Sequence, residues 1–459
     1  MLESIKSHFD GSGRPPRDIQ LEVLDWIARH WGSKPLVLQL PTGAGKSAIA
    51  RTVQIATGGA IIVPQNTLLD QYADTYPTVN ILKGKDHYGD EIEYTQARAL
   101  VEKGAPTIYN PLSYYYCRTS SASMVIDEAH KLPGMLELLC GVELGKMLWK
   151  YPSTDPIELA SWLLTVAEHS DEMGRAYKRA DDFKNSVKYF ALADKFKRLS
   201  KRLAMRDSNY IVYEEERASD KFLVIKPIKV PAPFFKMARE SPKTILMSAT
   251  IPRRIAETIL GSNNFEYLDL KSPIPKEQRQ ILFRPQGLSS KSEPEEVADW
   301  VRTQLAEFEG PTILHVTYKM GKALSKYFPD AHLHTPDTKA STLKAFKKTG
   351  GLWIAAGCAE GIDLAGDHAR LNLVPIVPFA NLGDPLVKAR LAQPGGQVDY
   401  TMDAMITLIQ QIGRSTRGSD DYSVSVCGDN RLAGLIAKLP NQLPKSFLEA
   451  IKWNGKLGT

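Results

Sequence analysis

The sequence predicts an α/β fold built as two parallel-sheet units in tandem, the first carrying a helical insert. Three observations predict it. Short apolar runs bounded by turn residues alternate with helix-length segments through the first third, and again in the second half. Between those regions, from about Met135 to Asp207, strand patterns vanish and apolar residues recur at helical spacing. Finally, 459 residues exceed one ordinary domain, so two or three domains are expected.

Taken in order, the first strands are expected at "PLVLQL", "AIIVP", "APTIYN" and "SMVIDEAH". The insert follows, with "IELASWLLTVAEH" and "FKNSVKYFALADKFKRLSKRLAM" as its amphipathic helices. Strand-like runs return at "YIVYEEE", "FLVIKPIKV" and "KTILMSAT". After a connecting stretch with "KSPIPKEQR", the second alternating region holds "TILHVTY", "GLWIAAG", "RLNLVPIVPF" and "YSVSVCG". The resulting expectation is a first unit at 1–134 and 209–254, an insert at 135–208 and a second unit at 255–459. There is no repeat of fixed short period and no low-complexity segment.

Composition narrows the function classes. With 43% hydrophobic and 24% charged residues, the chain has ample material for buried cores. A net charge of +6 permits a polyanionic partner without demanding one. No apolar run reaches the length of a membrane span, and "MLESIKSHFDGSGRPPRD" lacks the apolar centre of a secretion signal. A cytoplasmic protein without a membrane partner is therefore expected. Cys117, Cys140, Cys358 and Cys427 lie far apart with no CxxC pair, which argues against a zinc site or a disulfide framework. They are expected to be reduced and mostly buried.

Two motifs point to nucleotide chemistry. "LVLQLPTGAGKSAIA" runs from a strand through Thr42, Gly43, Ala44 and Gly45 into a helix start. The glycines permit a tight turn whose N–H groups face phosphate oxygens. Lys46 would add charge for the β- and γ-phosphates and Ser47 a hydroxyl for Mg²⁺, with the helix dipole behind them. The strict Gly-x-x-x-x-Gly-Lys pattern would have glycine at position 40, where this chain has Leu40. The second motif, "MVIDEAH", sets Asp127 and Glu128 at the end of an apolar strand, where parallel sheets present ligand groups. Asp127 suits Mg²⁺ held through water, and Glu128 suits orienting and deprotonating an attacking water. His130 is expected either to couple the nucleotide to "SAT" (Ser248 and Thr250) or to satisfy a bond at a helix start. A solvated acidic strand end is the plain alternative for a lone "DE".

In the second half, "LIQQIGRSTRG" places Gln410, Gly413, Arg414 and Arg417 so that the two arginines share a helix face. Arginines aimed at a γ-phosphate would neutralise charge in the transition state, although a basic helix face is the bland alternative. "CAEGIDLAG" supplies Glu360, Gly361 and Asp363 as a segment joining nucleotide to nucleic acid.

"PTGAGKS", "DEAH", "SAT", "EGIDLAG" and "QQIGRSTR", in this order, resemble the motifs of superfamily 2 helicases. "YNPLSYYY", "SPIPKEQR", "VPFANLGDPLVKAR" and "CGDNRL" resemble elements of the XPD/DinG branch, and "RDIQLEVL" its adenine-side motif, with Arg17 and Gln20. The resemblance covers nearly the whole chain apart from the insert, which matches the branch's arch domain in position and is shorter. It implies two RecA-like domains with Mg-ATP hydrolysed between them, driving 5′→3′ travel on single-stranded DNA; single-stranded or forked DNA is the expected partner, and a monomer the expected state. Relatives in the branch carry a segment like "LKGRxNYxC", whose cysteine is the first of four around an iron–sulfur cluster. Here "LKGKDHYGD" puts Asp90 at that position, and Cys117 is the one cysteine between the phosphate loop and "DEAH". No iron–sulfur cluster is expected, with a shortened stretch at roughly residues 89–106 in its place.

By analogy, nucleic-acid contacts are expected from Pro64, Gln65 and Asn66, from Lys83 and Lys85, and from Thr317, Tyr318 and Lys319. His87, Tyr88 and the tyrosines at 114 to 116 are candidate stacking platforms, with core packing the ordinary alternative for each. The basic run "KFKRLSKRLAMR" fits a solvated helix face about as well as a DNA-facing patch. Two other functions are carried alongside the DNA motor. One is an RNA-directed or nucleoprotein-remodelling ATPase of the same superfamily, and the other a non-motor binding protein with a decayed ATPase. Compact size would suit a phage or mobile-element protein acting in a bacterial cytoplasm.

Overall fold

A computed structural model describes residues 6–32, 34–117, 121–217, 220–241, 243–357, 364, 366–413, 415–416 and 421–453. The chain divides into two compact units. One contains Met1–Leu38, Lys46–Tyr267 and Leu382–Ala392; the other contains Gln39–Gly45, Leu268–Asn381 and Gln393–Thr459.

The first large sheet has seven strands: β1 (Leu36–Gln39), β2 (Ala60–Ile62), β3 (Asn80–Leu82), β4 (Thr107–Tyr109), β5 (Met124–Asp127), β9 (Thr244–Ser248) and β10 (Glu266–Asp269). Their spatial order is β10-β1-β9-β5-β2-β4-β3, with parallel pairing from β3 through β9. These strands are short and mostly apolar, as suits a parallel sheet covered by helices. Val37, Ile62, Leu82, Met124, Ile126 and Leu246 anchor that core.

A smaller antiparallel sheet, in the order β6-β8-β7, stands apart from it: β6 (Val142–Gly145), β7 (Tyr210–Arg217) and β8 (Asp220–Pro227). The long helices Pro156–Arg179 and Phe183–Ala204 form a hairpin whose apolar stripe (Leu159, Leu163, Phe196, Leu203) packs on Leu223 and Ile225. The insert is therefore α+β rather than all helical. Strand β6 falls in the stretch where no strand was expected. Strands β7 and β8, within 209–254, pair with it and not with the parallel sheet.

The second unit's sheet contains β11 (Arg279–Leu288), β12 (Thr312–Val316), β13 (His332–Leu333), β14 (Leu352–Ala356), β15 (Leu371–Val374), β16 (Ser423–Asp429) and β17 (Ile451–Trp453). Its order is β13-β14-β12-β15-β16-β11-β17, parallel at every junction. Two parallel seven-stranded sheets with crossover helices make two tandem RecA-like domains. Among the described residues, no helix is long and apolar enough to cross a membrane.

Candidate nucleotide site

Strand β9 lies between β1 and β5, so the carboxyl ends of all three converge on one edge of the first sheet. That edge is where open parallel sheets bind ligands. After β1, Gly43 and Gly45 adopt φ of 84° and 78°, left-handed conformations that glycine takes without strain. The helix Lys46–Thr57 starts directly after them, with Ser47 exposed on its first turn.

Lys46 Nζ lies 3.9 Å from Glu128 Oε1, and both side chains are largely shielded. The Glu128 Oε2 atom accepts a 3.1 Å hydrogen bond from Ser248 Oγ, and His130 Nδ1 is 2.6 Å from the same serine oxygen. Register explains the meeting: Asp127, at the end of β5, sits opposite Met247 on β9, one residue before Ser248. The Thr250 N–H donates to Ser248 Oγ at 3.1 Å and closes the turn after β9. Burial alone would raise the Glu128 carboxyl, but Lys46, His130, Lys131 and the Ser248 hydroxyl together hold it below its ordinary value. Asp127, 3% exposed, moves the other way: burial and the Glu128 charge push it up to about 6, despite Lys46. Glu128 has φ 49° and ψ 42°, a left-handed backbone unusual for a non-glycine residue.

One residue that sequence reasoning missed belongs to this cluster. Tyr72, on the helix Asn66–Thr75 and 2% exposed, donates from its phenol to Asp127 Oδ2 at 2.9 Å. The available clue was chemical: a tyrosine on a helix's buried face needs a polar partner for its hydroxyl.

The donor set fits a nucleoside triphosphate with Mg²⁺. Mg²⁺ keeps most of its waters and takes one or two protein oxygens plus phosphate oxygens, a demand that Ser47 and Asp127 match. Among the described residues, no group of three or more His, Cys, Asp or Glu is arranged to hold a metal ion. Of the two residues expected on the adenine side, the Arg17 N–H donates to Gln20 Oε1 at 2.9 Å, a local contact at the start of helix Asp18–His30. In the second unit, Gln410 lies near the end of helix Gly396–Ile412, which Gly413 terminates. Glu360, Gly361, Asp363, Arg414 and Arg417 lie outside the described residues.

The expected nucleic-acid contacts have varied placements. Pro64 is buried, whereas Asn66 Nδ2 meets His87 Nε2 at 2.7 Å and Asn66 Oδ1 accepts from Asn110. Gln65 precedes the Asn66–Thr75 helix as its cap residue. Lys83 is paired with Asp70 at 2.5 Å, while Lys85 lies 5.0 Å over the Tyr94 ring. Tyr88 is half-buried, with its hydroxyl tied to Lys83 N and Ile81 O. Tyr114 is buried against Tyr109; Tyr115 is exposed and stacked on Phe234. The Tyr116 side chain lies outside the described set. Thr317 caps the helix Tyr318–Leu324, where Tyr318 and Lys319 are exposed. Asp90, where the resemblance would put a cysteine, caps the helix Glu91–Glu102 by accepting the Glu93 N–H at 2.9 Å.

Comparison with known proteins follows the same two units. A family model described as the helicase C-terminal domain matches residues 308–449, and one described as the type III restriction enzyme res subunit matches residues 14–147. The ATP-dependent DNA helicase YoaA of Escherichia coli (strain K12) is 28% identical over 272 residues, 53% of this chain and 43% of that protein. A probable ATP-dependent helicase of Methanocaldococcus jannaschii is 25% identical over 285 residues, 54% of this chain and 42% of that protein. The chain thus spans less than half the length of these curated relatives. An apo XPD structure matches with a TM-score of 0.63 at 16% identity, covering 95% of this chain and 100% of that one. Xpd4 of S. tokodaii matches with a TM-score of 0.59 at 15% identity and the same coverage.

Proposed function

We infer that this chain, which belongs to the XPD/DinG branch of the superfamily 2 helicases, is an ATP-dependent DNA helicase or translocase. The observation that carries the reading is the grouping of Lys46, Glu128, Ser248 and His130 at one sheet edge beside the glycine turn. A decayed ATPase would have no need to keep a shielded lysine against an ionised glutamate.

In this reading, the backbone of residues 42–47 and Lys46 hold the phosphates of ATP, while Arg17 and Gln20 face the adenine. Ser47 and Asp127 hold Mg²⁺, which would neutralise charge on the phosphate oxygens when bound. Glu128, kept ionised by its neighbours, accepts the proton of the attacking water. Ser248 and His130 link that carboxylate to the turn at Thr250, a route by which strand binding would adjust hydrolysis. Arg414 and Arg417 are proposed to neutralise the transferred phosphoryl group, with Gln410 beside them and Glu360, Gly361 and Asp363 joining nucleotide to strand. Pro64, Gln65, Lys83, Lys85, Thr317 and Tyr318 are proposed as strand contacts. Single-stranded DNA travel with 5′→3′ polarity completes the proposal.

The test is strand displacement on duplexes with a 5′ or a 3′ single-stranded tail, with Mg-ATP. Opening of only the 5′-tailed duplex is expected. Opening of only the 3′-tailed one overturns the polarity. A Lys46→Ala protein that still hydrolyses ATP overturns the site itself.

A further inference from the structure

We propose that Tyr72 is a positioning residue for the divalent cation: its hydroxyl fixes Asp127, the carboxylate that would face the metal. The proposal rests on the nucleotide reading above and adds to it a residue outside the motifs. The geometry is specific. Asp127 Oδ2 accepts from the Tyr72 phenol at 2.9 Å, and Oδ1 accepts from the Glu128 N–H at 2.9 Å. Each carboxylate oxygen therefore has one donor and keeps further acceptor capacity for a metal-bound water. Two anchors on opposite oxygens leave the carboxylate one orientation.

Packing alone does not require a phenol here. An apolar side chain on the Asn66–Thr75 helix would fill the space, as Leu69 does one turn earlier with no polar atom. A tyrosine instead brings a buried hydroxyl that must find partners. The partner it finds is the carboxylate of the cation site. Tyr76, one turn on, directs its own hydroxyl elsewhere, to the Asp10 carbonyl at 3.3 Å. Residues that orient metal ligands from behind shift metal affinity by roughly ten- to a hundredfold when replaced.

The experiment measures binding of a fluorescent, non-hydrolysable ATP analogue to the full chain across a Mg²⁺ titration that begins with no metal. Tyr72→Phe keeps the ring and removes only the hydroxyl. It is expected to raise the Mg²⁺ concentration for half-maximal binding about tenfold, while metal-free affinity stays within about twofold. In an Asp127→Asn background the same change should have no further effect, because the group it orients is already altered. An unchanged Mg²⁺ requirement in Tyr72→Phe overturns the proposal, as does equal weakening with and without metal, which would mean that the hydroxyl serves packing. Wild-type protein that binds no analogue at any Mg²⁺ level overturns the nucleotide reading instead, and the proposal with it.

Discussion

Ser248 donates to the Glu128 carboxylate across 120 residues of chain, and the same oxygen lies 2.6 Å from His130 Nδ1. With the serine proton committed to Glu128, the imidazole Nδ1 is the donor to the serine oxygen. One hydroxyl thus joins the end of β9 to the residue proposed to activate water.

Ser248→Ala removes a hydrogen bond to a charged group, worth about 1.5–3 kcal/mol. DNA-stimulated ATP turnover is expected to fall at least tenfold, with KM for ATP little changed, since the phosphate loop is untouched. Steady-state kinetics with and without a DNA strand check this. Wild-type turnover in the variant would remove Ser248 from the mechanism.

Gly59→Ala should destabilise the first unit through backbone crowding. A Cβ there would stand 2.0 Å from Ser123 Oγ and 2.6 Å from the Ser123 carbonyl oxygen. Overpacking of this kind costs about 1–3 kcal/mol. At neighbouring Gly58, φ is +66° but a Cβ would meet nothing within 4 Å, so its alanine variant pays only the left-handed backbone cost of about 1 kcal/mol. Thermal melts of the two variants should rank Gly59→Ala lower; the reverse order would mean that β2 relaxes freely.

Arg390→Ala should loosen the hold of residues 382–392 on the first unit. Arg390 donates to Glu137 Oε2 at 2.5 Å and to the Ile228 carbonyl at 2.9 Å, and Glu137 is mostly shielded. Its loss would leave a half-buried carboxylate with no cation, at about 1–2 kcal/mol. Limited proteolysis should then cut within 382–392 faster than in wild type, and an unchanged rate would count against the anchor.

Thiol reactivity should split into two classes. Burial pushes Cys140 and Cys427 up to about 12, so neither supplies thiolate near neutral pH. At pH 8, a disulfide reagent should label at most two of the four cysteines in folded protein and all four in denaturant. Rapid labelling of three or four without denaturant would contradict the burial of these two.

Much of this architecture was legible because parallel strands announce themselves. The strands within "PLVLQL", "SMVID" and "KTILMS" are mostly apolar and buried at every position for the reason that both sheet faces are covered. The hairpin of long helices was equally plain in its stripe. What escaped notice was short or paired at a distance. Strand β6 has four residues, the last of them Gly145, too few for a periodicity, and it becomes a strand only through β8, some eighty residues later. In the site, Lys46, Glu128, His130 and Ser248 stood out because each lies in a local motif. Tyr72 did not, since its identity as a helix-face aromatic reads as core. Only the fold reveals that its hydroxyl reaches Asp127.

The left-handed backbone of Glu128 sets chemistry against fitness for folding. Such a conformation costs a non-glycine residue on the order of 1–3 kcal/mol, and glycine would escape it. A library randomised at this position and sorted by heat resistance alone should therefore enrich proteins that melt later and hydrolyse nothing. Selection for durability and selection for work would pull this single position in opposite directions.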